Sequence, residues 1–130
     1  AGIETRGLFM FGNLGEDEKT MQDTINFAKS LDLDTATFHI TIPFPNTEYW
    51  KIIKEEGEIY PKNYRDYIAY GNVIFQHGNL NEETLIKMQK KAYREFYFRP
   101  RIILGAMKKI RSLDKLKLYL DAGIAFLGLR

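Results

Sequence analysis

The sequence predicts an α/β protein built on a strand–helix–strand unit, with further helices behind it. Three observations carry that expectation. An apolar, aromatic run at residues 5–11 stops at a glycine, a helical stripe follows it, and residues 35–42 then alternate strictly between apolar and polar. A helix between two strands implies a parallel pair joined by a right-handed crossover. Two strands do not make a self-sufficient sheet, because each leaves an edge and a face to cover. The chain is therefore expected to be the end of something larger.

Thr5 to Phe11 forms the first expected strand, and "GNLGEDE" breaks it. Gly12 and Gly15 tolerate the positive φ that a sharp reversal needs. The acids at 16–18 suit a helix N-terminus, where carboxylates meet unpaired amides. Met21, Ile25 and Ala28, with Phe27 and Leu31 beside them, make the apolar stripe of that helix, which should end near "SLDLD".

In "TATFHITI" (residues 35–42), Ala36, Phe38, Ile40 and Ile42 face one way, and Thr35, Thr37, His39 and Thr41 the other. "PFPNT" stops the strand, since proline cannot donate to a ladder. Asn46 or Thr47 is placed to cap a short helix carrying Tyr49, Trp50 and Ile53, which Gly57 closes. In such units ligands gather at the carboxyl ends of the strands, where both "GNLGE" and "PFPNT" lie.

Residues 58–130 read differently: a tyrosine-rich connection, a short strand near Val73–Phe75, and then helices. Asn81 caps a long helix whose apolar side holds Leu85, Met88, Ala92 and Phe96. Pro100 ends or kinks it, and Ser112 starts a last helix with Leu113, Leu116, Leu120, Ile124 and Leu127 on one face.

The bulk numbers fit one domain or part of one: 130 residues, 45% hydrophobic and 28% charged. With no cysteine, these residues offer no disulfide, thiolate metal site or cysteine nucleophile. Two histidines, His39 and His77, are too few for a histidine-based metal site without carboxylate help. No apolar run is long enough to span a membrane. Charge is polarised. Residues 16–58 hold ten acids against four lysines, and residues 87–117 hold eleven bases against Glu95 and Asp114. Such a basic stretch suits either a nucleic-acid surface or the solvated face of amphipathic helices lying near the acidic half. Apolar residues recurring at helical spacing among the bases favour the second, so nucleic acid is not the expected partner.

The string "LFMFGNLGEDEKTMQDTINFAKSLDLD" resembles the late-barrel segment of radical S-adenosylmethionine enzymes. There, a strand ends in a G-x-P-G-E turn before a T-x-x-T-x-x-F-A-K helix, matched here by Gly12, Gly15, Glu16, Thr20, Thr24, Phe27, Ala28 and Lys29. That family's P-x-P-G-T at the next strand end is matched by Pro43, Pro45 and Thr47. The tail "KAYREFYFRPRIIL", followed by "AMKKI", resembles the segment after the barrel in the cobalamin-binding branch, which includes methyltransferases and the anaerobic Mg-protoporphyrin monomethyl ester cyclase. Two positions depart. Leu14 replaces proline, and Asn46 replaces glycine, a change compatible with left-handed φ.

The resemblance implies a partial (β/α)6, TIM-like barrel. Residues 1–57 would be its closing βαβα portion, with the last two parallel strands, and 58–130 a C-terminal extension. It implies cofactor contacts at Met10, Gly12, Asn13, Gly15 and Glu16. Met10 would lie against the adenine of S-adenosylmethionine, Gly12 would leave room for the nucleoside, and Glu16 would order the turn; an ordinary ligand-free turn is the competing reading. The three cysteines that hold the family's [4Fe-4S] cluster are absent here. Reductive cleavage of S-adenosylmethionine needs that cluster, so the chain alone is expected to be catalytically inactive. The expected partner is the missing N-terminal part of a cytoplasmic, oxygen-intolerant enzyme performing methyl transfer or oxidative cyclisation, with cobalamin as a further cofactor. Self-association through open strand edges is a second expected contact.

If the second strand lines a barrel, Thr37, His39 and Thr41 face the cavity as substrate contacts, and His39 can hydrogen-bond or protonate a ligand. The plainer reading is a histidine bonded to a nearby carbonyl. His77, in a loop, is expected in solvent. Tyr60, Tyr64, Tyr67 and Tyr70 shape a substrate mouth or pack half-buried with wet hydroxyls. Two other classes remain: a self-contained binding module without chemistry, and an RNA-binding piece using Lys87, Lys90, Lys91 and Arg94.

Overall fold

The computed structural model describes residues 3–61, 63, 65, 67 and 73–109, the side chains of the last four excepted. The helix expected from Ser112, and Tyr64 and Tyr70, lie outside the described residues. Two parallel strands, β1 (Arg6–Phe11) and β2 (Thr35–Ile40), flank helix α1 (Glu18–Ser30), and α2 (Glu48–Glu56) follows. A two-residue antiparallel pair, β3 (Glu58–Ile59) and β4 (Phe75–Gln76), precedes α3 (Glu82–Tyr97) and α4 (Pro100–Lys109). Among the described residues no helix is long and apolar enough to cross a membrane.

The register sets Leu8 beside Thr37, Phe9 beside Phe38 and Met10 beside His39. The even apolar positions of β2 therefore share a face with Phe9 and Phe11, as the alternation predicts. That face is covered by α1 and α3 and carries the core. Phe11, Phe38, Met21, Ile25, Leu85, Met88 and Phe96 are fully buried there. Phe38 stacks on Phe9 at 5.3 Å and on Phe11 at 5.7 Å, and meets Tyr93 edge-on at 5.4 Å. Each such side chain contributes roughly 1.5–3 kcal/mol by leaving water.

Helix ends follow their caps. Asp17 and Thr20 form a reciprocal capping box at α1, Thr47 accepts from the Trp50 amide at α2, and Asn81 accepts from the Thr84 amide at α3. The hydrogen bond from the Thr20 amide holds the Asp17 carboxyl below its usual range. Asn46 is not the cap. It takes the left-handed turn before it, at φ 69°. Pro100 opens α4 rather than kinking α3, because a first-turn proline loses no helical hydrogen bond.

Three expectations are corrected. Phe27 leaves the buried stripe of α1: it is 59% exposed and meets the Phe9 ring in a T-shaped pair at 6.5 Å, because the helix phase aims Met21, Ile25 and Ala28 inward. His77 sits within 3.2 Å of Glu56, its side chain 22% exposed, instead of standing in solvent. The short strand falls at Phe75–Gln76, where Glu58–Ile59 supplies the partner.

Among the described residues, part of the charge polarity is met by ion pairs within the fold. Lys87 pairs with Glu18 at 3.0 Å, Arg101 with Asp32, and Lys29 with Glu95 at 2.5 Å, with Lys91 alongside. The hydrogen bond from Lys29 holds the Glu95 carboxyl below its usual range. The basic helices thus lie against the acidic half. Such exposed pairs each add at most about 1 kcal/mol.

Candidate functional site

The loop after β1 is built by its own carboxylate. Gly12 and Gly15 adopt φ of 87° and 77°, which side-chain-bearing residues rarely take. The chain then folds back so that Glu16 Oε2 accepts from the Gly12 amide at 2.6 Å and the Asn13 amide at 2.8 Å. The Glu16 amide in turn donates to the Asn13 carbonyl at 3.1 Å. Free amides in such a turn would make a cradle for phosphate. Here the carboxylate fills that role, so the turn is preformed and carries negative charge. Its glycines are therefore not a phosphate loop.

Two contacts tie this turn to the loop after β2. The Tyr49 hydroxyl donates to the Gly12 carbonyl. The Thr41 hydroxyl donates to Asn13 Oδ1 at 3.1 Å, and the Thr41 amide extends the β-ladder to the Phe11 carbonyl at 2.8 Å. Burial, reinforced by the Glu16 charge, pushes the Tyr49 phenol well above its ordinary range, so it remains a donor at neutral pH. Tyr49 was not among the sequence candidates. Helical spacing was the available signal: Tyr49 lies one turn before buried Ile53, on the side of α2 that faces the strand ends. A methyl group added at Gly12 would meet the Phe75 ring at 3.2 Å and Leu85 at 3.4 Å. Gly12 is thus required by its φ and by the core behind it.

The other face of the sheet has no cover among the described residues. Leu8 is 71% exposed and Met10 50% exposed. The register brings Thr37 and His39 onto the same face, with Thr41 at its carboxyl end. His39 is exposed and has no hydrogen-bond partner, carbonyl or other, among the described residues. Thr37 Oγ1 is shielded from water and also lacks a partner among the described residues. An apolar strip therefore runs beside a polar one, ending at the Gly12–Glu16 turn. Such a surface suits a flat, partly apolar ring with polar edges. Of the tyrosines, Tyr67 is buried, and its hydroxyl lies 3.3 Å from Trp50 Nε1, while Tyr60 stays exposed. Among the described residues no group of three or more histidines and carboxylates is placed to hold a metal ion.

No family model matches the chain, and no solved structure does. Two curated proteins are similar in sequence. An uncharacterized methyltransferase of Pyrococcus horikoshii is 32% identical over 103 residues, covering 79% of this chain and 22% of that protein. The bacteriochlorophyllide d C-12(1)-methyltransferase of Chlorobaculum tepidum is 28% identical over 95 residues, covering 73% of this chain and 20% of that protein. Both relatives are methyltransferases by name. The chain spans about a fifth of the length of each.

Proposed function

We propose that the chain is the closing segment of a barrel-type radical S-adenosylmethionine methyltransferase, and that the open face of β1 and β2 forms part of the wall of its active-site cavity. One observation carries the reading most: among the described residues, the parallel pair is packed hard under helices on one face and bare on the other. A sheet of this parallel kind ordinarily has both faces covered. A self-contained binding module would not leave Leu8 and Met10 in water, and the internal pairing of Lys87 and Lys91 speaks against a nucleic-acid surface. The named activity of the two relatives supports methyl transfer over cyclisation.

In this reading Met10 and Leu8 supply the apolar floor for the adenine ring. Glu16 keeps the turn from collapsing across it by holding the Gly12 and Asn13 amides. Asn13, fixed by Thr41, and Gly15 form the rim. Thr37, His39 and Thr41 face the substrate, where their hydroxyls and imidazole can hydrogen-bond to it. S-adenosylmethionine, when bound, supplies the methyl group and, under reduction, a radical. The chain has no cysteine, so its residues do not fit a [4Fe-4S] cluster, and no residue here is assigned to cobalamin. The chain alone is therefore proposed to be inactive.

The test is S-adenosylmethionine binding by the full-length gene product. Met10→Asp, which sets a charge against the ring, should weaken binding about tenfold or more, since tenfold corresponds to about 1.4 kcal/mol. Met10→Leu should bind within about threefold of the parent. Unchanged affinity in Met10→Asp would remove Met10 from the site.

A further inference from the structure

The two edges of the β1–β2 sheet are finished in opposite ways. In a parallel ladder each strand turns alternate backbone groups toward its neighbour. The Thr35 amide donates to the Thr5 carbonyl at 3.1 Å and the Thr41 amide to the Phe11 carbonyl at 2.8 Å. This phase aims the N–H and C=O of Ala36 and Phe38 outward on β2, and those of Arg6, Leu8 and Met10 outward on β1.

On the β2 side, helix α3 answers these groups with side chains. The Tyr97 hydroxyl accepts from the Ala36 amide at 3.1 Å and donates to the Ala36 carbonyl at 2.8 Å. The Tyr93 hydroxyl accepts from the Phe38 amide at 3.2 Å, and Gln89 Nε2 donates to the Phe38 carbonyl at 2.7 Å. The match has a geometric cause. Four residues of helix advance about 6 Å, close to the roughly 6.6 Å between outward positions of a strand. Residues 89, 93 and 97 thus act as a substitute strand that ends the sheet. No side chain answers Arg6, Leu8 and Met10 in that way among the described residues.

We propose that the sheet grows on one side only: the outer edge of β1 receives a parallel strand from the remainder of the protein, while Gln89, Tyr93 and Tyr97 close β2 to strand addition. That the strand comes from the remainder of the protein rests on the barrel reading above; the one-sidedness does not. The two relatives, of which the chain spans only about a fifth, are long enough to supply such a strand. The added strand also brings its helix and neighbours over the bare Leu8–Met10 face. A second copy of this chain is a poorer occupant. With β2 closed, two copies could meet only β1 to β1 about a twofold axis, which makes an antiparallel joint and leaves the bare face uncovered.

The test is amide hydrogen exchange on the 130-residue chain and on the full-length gene product. In the chain, the Leu8 and Met10 amides should exchange about a hundredfold faster than those of Ala36 and Phe38, and in the full-length product they should slow by about a hundredfold. Equally fast exchange in both proteins would overturn the proposal. Protection that instead appears in the chain as its concentration rises, with a dimer's mass, would overturn the assignment of the strand to the remainder of the protein. Tyr93→Phe with Tyr97→Phe should speed Ala36 and Phe38 by about tenfold in the chain while leaving Phe9 unchanged; no effect would overturn the closure of β2. S-adenosylmethionine affinity measured on the same full-length sample separates the two readings. Protected Leu8 and Met10 without binding would leave the edge assignment standing and sink the cofactor site.

Discussion

The two faces of the β1–β2 pair share one backbone and have opposite surroundings. On one, Phe9, Phe11, Ala36 and Phe38 lie beneath α1 and α3; on the other, Leu8 and Met10 stand exposed beside Thr37 and His39, with no covering element among the described residues. Their compositions differ in kind as well as in cover. The packed face is apolar and aromatic throughout, as a helix interface requires. The bare face sets two apolar residues against a row of hydroxyls and an imidazole. That mixture suits a ligand wall better than either a core or a water-facing surface.

The largest expected contrast between the faces is in stability. Phe38→Ala, which deletes the ring between Phe9, Phe11 and Tyr93, should cost about 3–5 kcal/mol in urea unfolding of the chain, whereas Leu8→Ala should change it by about 0.5 kcal/mol or less. Equal costs would mean that the bare face is covered after all. Next comes the turn where the faces meet. Glu16→Ala leaves the Gly12 and Asn13 amides without their acceptor and should cost about 1–3 kcal/mol, with Glu16→Gln recovering part of it. At the closed edge, Tyr97→Phe should cost about 1 kcal/mol, since the ring packing remains and only the bonds to Ala36 are lost.

The smallest effect is at alkaline pH. The phenol of Tyr49 is raised in the folded state by burial and by Glu16. Its contribution is complete below the ordinary tyrosine value of about 10, and it declines as pH rises above that, because the unfolded chain loses the proton first. Tyr49→Phe should flatten this alkaline decline. An unchanged pH profile would detach Tyr49 from the turn.

Much of this contrast was legible in the sequence because it rests on local periodicity. Alternation in "TATFHITI" assigned both faces correctly, and the acids after Gly15 marked the helix start. Asn46 was legible as a left-handed residue. Tertiary partners were not. Nothing local shows that Tyr49 reaches across from α2, or that Tyr93 and Tyr97 finish the edge of a strand more than fifty residues earlier. Phe27 misled for the same reason: an apolar residue near a stripe is buried only if another element arrives on its side.

The most direct test is oxidative footprinting of the methionines. Met21 and Met88 are fully buried and serve as references, while Met10 is half exposed on the bare face. In the 130-residue chain Met10 should be oxidised far faster than either. In the full-length product with S-adenosylmethionine its rate should fall to theirs. A Met10 that oxidises as quickly there as in the chain alone would contradict the placement of this face inside a ligand-binding cavity.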